Sequence, residues 1–183
     1  MTDYGHELLF GSFITPSAGS PDRVVALAQL SERAGLDLVT FQDHPYVPQF
    51  LDTCTLLSFV AAATSGIRLA PNVINLPPRQ PSVPARSAAS LDLLSGGRVE
   101  LGLGAGAFWD ATEANGGRRL SPGQAVGALG EAIAIIREVR AADQRGGVRV
   151  AGRHYRVAGA KHGPASRTTS ASGSAATSRG CSA

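Results

Sequence analysis

Two hydrophobic periodicities alternate along this chain. Leu8-Leu9-Phe10-Gly11-Ser12-Phe13-Ile14 is a short apolar run closed by Thr15-Pro16, which predicts a buried strand. Ser20-Pro21-Asp22 then supplies an N-cap with proline at the first helical position. Val24, Leu27, Ala28, Leu30 and Ala34 recur at helical spacing, and Gly35 ends that helix. The stretch 36–41 predicts a second strand, delivering Gln42-Asp43-His44-Pro45-Tyr46 at its carboxyl end. Thr53 or Thr55 caps a second helix running through Ala63. The stretch 67–76 predicts a third strand, interrupted by Pro71 and followed by Pro77-Pro78, and a third helix spans about 84–94 before Gly96.

Val99, Leu101 and Leu103 then alternate with Glu100, Gly102 and Gly104, the pattern of a fourth strand. Gly104 and Gly106 at its carboxyl end leave the backbone bare for a flat or anionic ligand, and Trp109, the only tryptophan, offers a stacking face. The same residues also suit a tight turn with Trp109 in the core. Ser121-Pro122 opens a fourth helix with Val126, Leu129, Ile133, Ile136 and Val139 on one face. Gly130 inside it costs about 1 kcal/mol relative to alanine, which an apolar face offsets. The stretch 148–157 predicts a β-hairpin turning near Gly152.

Four consecutive strand–helix units with buried strands imply an α/β fold with a parallel sheet, whose loops at the carboxyl ends of the strands carry the chemistry. A complete (β/α)8 barrel needs about 250 residues. The expectation for this chain of 183 residues is therefore TIM-barrel-type (β/α) units, the first half of such a barrel, over residues 1–160, followed by a tail over 161–183.

Charge and composition narrow the function classes. Lys161, Arg167 and Arg179 are the three basic residues of the tail, which has no acidic one; the 17 basic side chains less these three leave 14, equal to the 14 acidic. The body is neutral, without a basic stripe, and nucleic acid is excluded as a partner. No apolar run is long enough to span a membrane, and the first residues lack a signal-peptide pattern. Cys54 and Cys181 form no disulfide framework, and nothing pairs Cys54 with a base; a cytoplasmic location is expected. His6, His44, His154 and His162 form no cluster with carboxylates or cysteines at metal-ligand spacing, so no metal is expected.

The loops carry a family resemblance. Gln42-Asp43-His44-Pro45-Tyr46, Asn72-Val73-Ile74-Asn75 and the run from Gly97 to Gly106, with Ser121-Pro122-Gly123-Gln124-Ala125 and Gly152-Arg153-His154-Tyr155, resemble the luciferase-like monooxygenases over roughly residues 7–160. The resemblance implies a flavin- or deazaflavin-dependent oxidoreductase with FMN or coenzyme F420 in a (β/α)8 barrel, acting on a small-molecule substrate by hydride or oxygen transfer. It implies Asp43 and His44 as a proton-handling pair beside the ring. Asn72 and Val73 match a strand bulge with a non-proline cis peptide against the ring, and Gly104, Ala105 and Gly106 match the wall beside it. Trp109 would line the substrate pocket, which Ser12 would also face. Some relatives place a polar or acidic residue where this chain has Ala107; Asp110 and Glu113 are the candidates to replace it.

Alternatives remain at this point. Gly102-Leu103-Gly104-Ala105-Gly106-Ala107 also satisfies a nicotinamide-dinucleotide pattern, although Gly116-Gly117 interrupts before the next clear helix and no acidic residue follows at the required distance. The tail is mostly Ser, Thr, Ala and Gly, a composition that does not order itself. Its back-translated codons, read two bases later, can encode a sequence resembling the family's fifth strand, so a frameshift is expected. The family holds its cofactor phosphate with loops of the second half-barrel, which implies weak cofactor binding by a catalytically inactive half. Open strand edges and an apolar inner face imply a homodimer or other self-association.

Overall fold

The computed structural model describes residues 8–167, and four βα units follow one another in it. The first is β1 (Gly11–Ile14) with α1 (Pro21–Arg33), and the second is β2 (Leu38–Phe41) with α2 (Thr53–Ala63). The third strand runs in two pieces, β3 (Arg68–Pro71) and β4 (Ile74–Asn75), before α3 (Ser82–Ser95). The fourth unit is β5 (Leu103–Gly104), a short α4 (Trp109–Ala114) and the long α5 (Pro122–Arg140). A hairpin of β6 (Val148–Ala151) and β7 (Arg156–Ala160) closes the described chain.

The sheet is parallel with strands in sequence order: β1 pairs β2, β2 pairs β3, and β4 pairs β5, with a parallel bridge from Leu69 to Val99. Sequential parallel strands joined by helices are the arrangement of a β/α barrel wall. Ile14, Val39, Phe41 and Leu69 meet Val24, Ala28, Leu56, Leu57 and Val60 in one core between sheet and helices. A second core joins Ile74, Leu76 and Leu103 to α5 and to Val148 and Tyr155 of the hairpin. Side chains alternate across a strand, so Phe13, Thr40, Arg68 and Ala70 point to the opposite, inner face. Phe13 is 57% exposed there, and Arg68 forms an ion pair with Glu100.

Several boundaries differ from the sequence reading for local reasons. β1 starts at Gly11, because the Asp37 carboxylate, not a strand neighbour, takes the N–H of Phe10, and Leu8–Phe10 stay exposed. The cap of α2 is Asp52, whose Oδ1 accepts from the Thr55 N–H and hydroxyl; Thr53 is turned inward to donate to the Gln42 carbonyl. The third strand splits at the cis Asn72–Val73 peptide. Its neighbour splits with it, bonding to Leu69 through Arg98 and Glu100 and to Ile74 through Gly102. The helix α4 was not foreseen. On α5 the buried stripe is Ala125, Ala128, Leu129, Ala132, Ile135, Ile136 and Val139, so Val126, 65% exposed, lies off the face assigned to it. Small alanines, not the larger Val126 and Ile133, let this helix approach its neighbours.

The helix ends follow capping rules. Ser121 and Gln124 form a reciprocal capping box on α5, and Gly96 ends α3 in the left-handed region at φ 78°. The Glu131 carboxylate of α5 accepts the N–H groups of Arg153, His154 and Tyr155 and so fastens the hairpin turn to the helix. Most of the tail, and all but the first two residues of the stretch 166–182 on which the frameshift is expected, lie at residues 168–183, outside the described residues.

Candidate functional site

The carboxyl ends of β2, β4 and β5 converge, and one buried ion pair ties the first two together. Asp43 lies two residues beyond β2 and is 3% exposed. Its Oδ2 accepts the N–H of Asn75, the last residue of β4, at 2.8 Å. Arg79 grips both carboxylate oxygens, at 2.6 and 2.9 Å, and donates to the Asn75 carbonyl at 2.8 Å. Bidentate charge-assisted contacts of this kind fix geometry as well as charge. Sequence reasoning missed Arg79. Its signal was Pro77-Pro78, which sit inside a turn closed by Arg79 N–H to Leu76 O and send the arginine back to the strand end.

His44 faces a different set of groups. Its Nδ1 lies 2.7 Å from Tyr46 Oη, and its ring packs against Tyr46, Phe50 and, edge-on, Phe108. The two residues expected to work as a pair thus have different partners. The Asp43 carboxylate is committed to Arg79 and Asn75, whereas the His44 imidazole is held by aromatic neighbours. Burial, and then the Asp43 charge, pushes the Tyr46 phenol above its ordinary value. Burial likewise raises the Cys54 thiol, with the Asp52 charge adding to it, which keeps that side chain an unreactive thiol.

Phe108 is the second residue that sequence reasoning missed. It caps α4 in the left-handed region, φ 53° and ψ 54°, a conformation that bulky residues rarely adopt. Its ring is 64% exposed, yet it touches both His44 and Tyr46. No sequence signal marks a strained phenylalanine. Trp109, expected in the substrate pocket, begins α4 and turns its ring tip toward Gly106.

The glycine wall has a packing reason of its own. A Cβ on Gly104 would stand 2.5 Å from Val73 Cγ2, and one on Gly102 would stand 2.5 Å from the Pro71 carbonyl oxygen. Bare backbone at these places admits Val73 and the bulged third strand. Gly106, at φ 106°, has conformational grounds for lacking a side chain, and its neighbour Ala105 packs on the second core. Asn72 and Val73 share the cis peptide that the resemblance implied.

Two expectations are corrected. Ser12 does not face the strand-end pocket: its hydroxyl lies 2.8 Å from the Ser31 hydroxyl on α1, on the helix side of the sheet. Asp110 and Glu113 do not replace the polar residue absent at Ala107, because both pair with Arg119 along α4. His154 packs near Gly127 through its ring, and its backbone N–H goes to Glu131. Among the described residues no group of His, Cys, Asp and Glu is arranged to hold a metal, and no helix is long and apolar enough to cross a membrane.

Among the described residues, one buried side-chain polar atom lacks a hydrogen-bond partner: Asn75 Oδ1. Asn75 is 6% exposed and pairs in register with Gly104. A buried acceptor without a donor calls for one. A flat heteroaromatic ring bearing an imide N–H, such as the pyrimidine end of a flavin or deazaflavin, would supply that donor. The ring-side residues thus fit such a cofactor.

Fold and site together define a barrel-type α/β protein with an aromatic cluster at its strand ends. The chain belongs to the luciferase-like monooxygenase family, whose model matches residues 2–179. That assignment replaces the dinucleotide-binding alternative: the Gly102–Ala107 run lies in a barrel-type sheet and leads into a helix of six residues. In sequence it is similar to the 5,10-methylenetetrahydromethanopterin reductase of Methanopyrus kandleri, 32% identical over 55% of this chain and 28% of the reductase. A protein of Mycobacterium tuberculosis, provisionally named a coenzyme F420-dependent oxidoreductase, is 34% identical over 76% of this chain and 38% of its own length. In structure it is similar to the oxygenating constituent of 3,6-diketocamphane monooxygenase from Pseudomonas putida, solved with FMN. That likeness has a TM-score of 0.68 and 21% identity, over 85% of this chain and 45% of the other. The chain spans less than half the length of each of these proteins.

Proposed function

We propose that this chain forms the ring-binding half of a flavin- or deazaflavin-dependent oxidoreductase acting on a small molecule. The single observation that carries this reading is the buried, unpartnered Asn75 Oδ1 beside Gly104. Asn75, the Asn72–Val73 bulge, Ala105 and Gly106 would hold the ring. The bound ring would supply two-electron hydride or oxygen chemistry. Names of relatives support both FMN and coenzyme F420 as the group. Asp43 positions Asn75 by accepting its N–H, and Arg79 locks both. His44 holds or moves a proton at Nε2, the nitrogen that the Tyr46 contact leaves free. Phe108 and Trp109 would cover a ring bound at the same strand ends.

The test is a titration of the purified chain with FMN and with the deazaflavin, read by ring absorbance and by protein NMR shifts. Binding weakened by Asn75→Leu and unaffected by His44→Ala is the expected outcome. The reading fails if neither ring perturbs the wild-type chain at about 1 mM, a bound near −4 kcal/mol.

A second reading, a half-barrel inactive by itself that self-associates, is favoured by the exposed run Leu8, Leu9, Phe10 and Phe13. The sheet edge at β1 and the inner face at Phe13 would meet a second copy. Light scattering across concentrations tests it; a monomer throughout, with Phe13→Ser unchanged, removes it.

A further inference from the structure

The geometry points to Tyr46 as the positioning residue that fixes His44 in its Nε2–H tautomer, so that the imidazole offers a hydrogen-bond donor at Nε2. The inference deepens the reading of His44 as the proton-handling residue, and rests on it only for the use made of that proton.

The local sequence builds the contact. His44-Pro45-Tyr46-Val47 is a turn closed by the Val47 N–H to the His44 carbonyl at 3.0 Å, with proline at its second position presetting the backbone. The turn brings Tyr46 Oη to 2.7 Å from His44 Nδ1. Three further ring contacts hold the arrangement: His44 with Phe108 at 5.4 Å and 83°, His44 with Phe50 at 6.3 Å, and Tyr46 with Phe108 at 5.9 Å. Phe108 stays there although its backbone is in the left-handed region, and such outliers concentrate where function constrains the chain.

The direction of the bond follows from acidity. A phenol is a far stronger donor than a neutral imidazole N–H, and an imidazole lone pair is a better acceptor than a phenol oxygen. Tyr46 therefore donates to Nδ1, and the imidazole proton sits on Nε2. The Asp43 charge acts on Tyr46, and Arg79 pairs with that carboxylate and offsets it. What remains of the Asp43 charge, added to burial, keeps the proton on the phenol. A donor at Nε2 favours substrates presenting an oxygen acceptor, a carbonyl or an alkoxide, over those presenting only donors.

The experiment is a two-bond proton–nitrogen NMR spectrum of histidine-labelled full-length chain, taken above the pH at which the imidazole gains its second proton. In wild type, Nδ1 is expected at the shift of an unprotonated nitrogen and Nε2 at that of a protonated one. Tyr46→Phe should lower the ratio of Nε2–H to Nδ1–H forms about fivefold to tenfold, the worth of one hydrogen bond. Gly130→Ala, in open space on α5 and outside the site, should leave the ratio unchanged. A protonated Nδ1 in wild type overturns the inference without any variant, and so does a Tyr46→Phe spectrum identical to wild type. Failure of the proton-handling role is separate: it would show as full turnover by His44→Ala with the wild-type tautomer intact.

Discussion

Removing Arg79 should destabilise this protein far more than removing its partner Asp43. The Asp43 side chain is 1% exposed and that of Arg79 18% exposed. In Arg79→Met the carboxylate keeps one N–H, from Asn75, and loses both guanidinium contacts with no route to water. Breaking a buried pair in this way costs about 3–5 kcal/mol, a large part of the roughly 5–15 kcal/mol that holds a domain folded. In Asp43→Asn the guanidinium keeps the Asn75 carbonyl and reaches solvent at its exposed side. That variant should lose about 1–3 kcal/mol. The double variant should be more stable than Arg79→Met alone, since the stranded charge is gone, with a coupling of about 1–3 kcal/mol. Urea unfolding followed by circular dichroism, with the denaturant slope unchanged, reads these differences. The reasoning is refuted if Arg79→Met costs under about 1 kcal/mol, as an exposed ion pair would, or if the two substitutions simply add.

Three further outcomes follow from the packing. Gly104→Ala should destabilise by about 1–3 kcal/mol, because its Cβ meets Val73 Cγ2 at 2.5 Å, and thermal unfolding checks it against Gly130→Ala. The latter, in open space on α5, should stabilise by about 0.5–1 kcal/mol. Glu131 has its pKa lowered: burial opposes this, and the N–H groups of Tyr155, His154 and Arg153 together outweigh it. A lowered folded value adds stability above the ordinary 4.5 that is lost as pH falls through it. The gap in melting temperature between wild type and Glu131→Gln should therefore be widest near neutrality and close at acid pH. An unchanged gap at low pH would sink the account of that carboxylate.

The site shows how an ion pair and a bulge share one task. Asp43 reaches β4 from the end of β2, so the position of Asn75 depends on two loops distant in sequence. The third-strand irregularity at Asn72–Val73 then decides which residues of the fourth strand are glycines. Val73 fills the space in front of Gly102 and Gly104, and the ladder resumes at Ile74 with Leu103. Positioning of this kind makes a strand end a rigid base for a ligand.

Periodicity, proline and glycine in the sequence alone determined the order of βα units, the helix at Ser121-Pro122 and the hairpin near Gly152, because each is a short-range preference of the backbone, and the parallel sheet followed from buried strands alternating with helices. The motif order also marked the family and the strand ends where chemistry sits. Tertiary structure decided what each side chain there does. Adjacent in sequence, Asp43 and His44 differ in role because Arg79, four residues past Asn75, takes the carboxylate while Tyr46 takes the imidazole. Ser12 turns to α1 because the strand alternation that buries Ile14 carries it to the helix side. Val126 lies off the buried face of α5 and small alanines line it, because hydrophobicity says which residues prefer burial, whereas packing against neighbours says which fit. Phe108 owes its place to a left-handed backbone angle, a property that only the folded chain around it enforces.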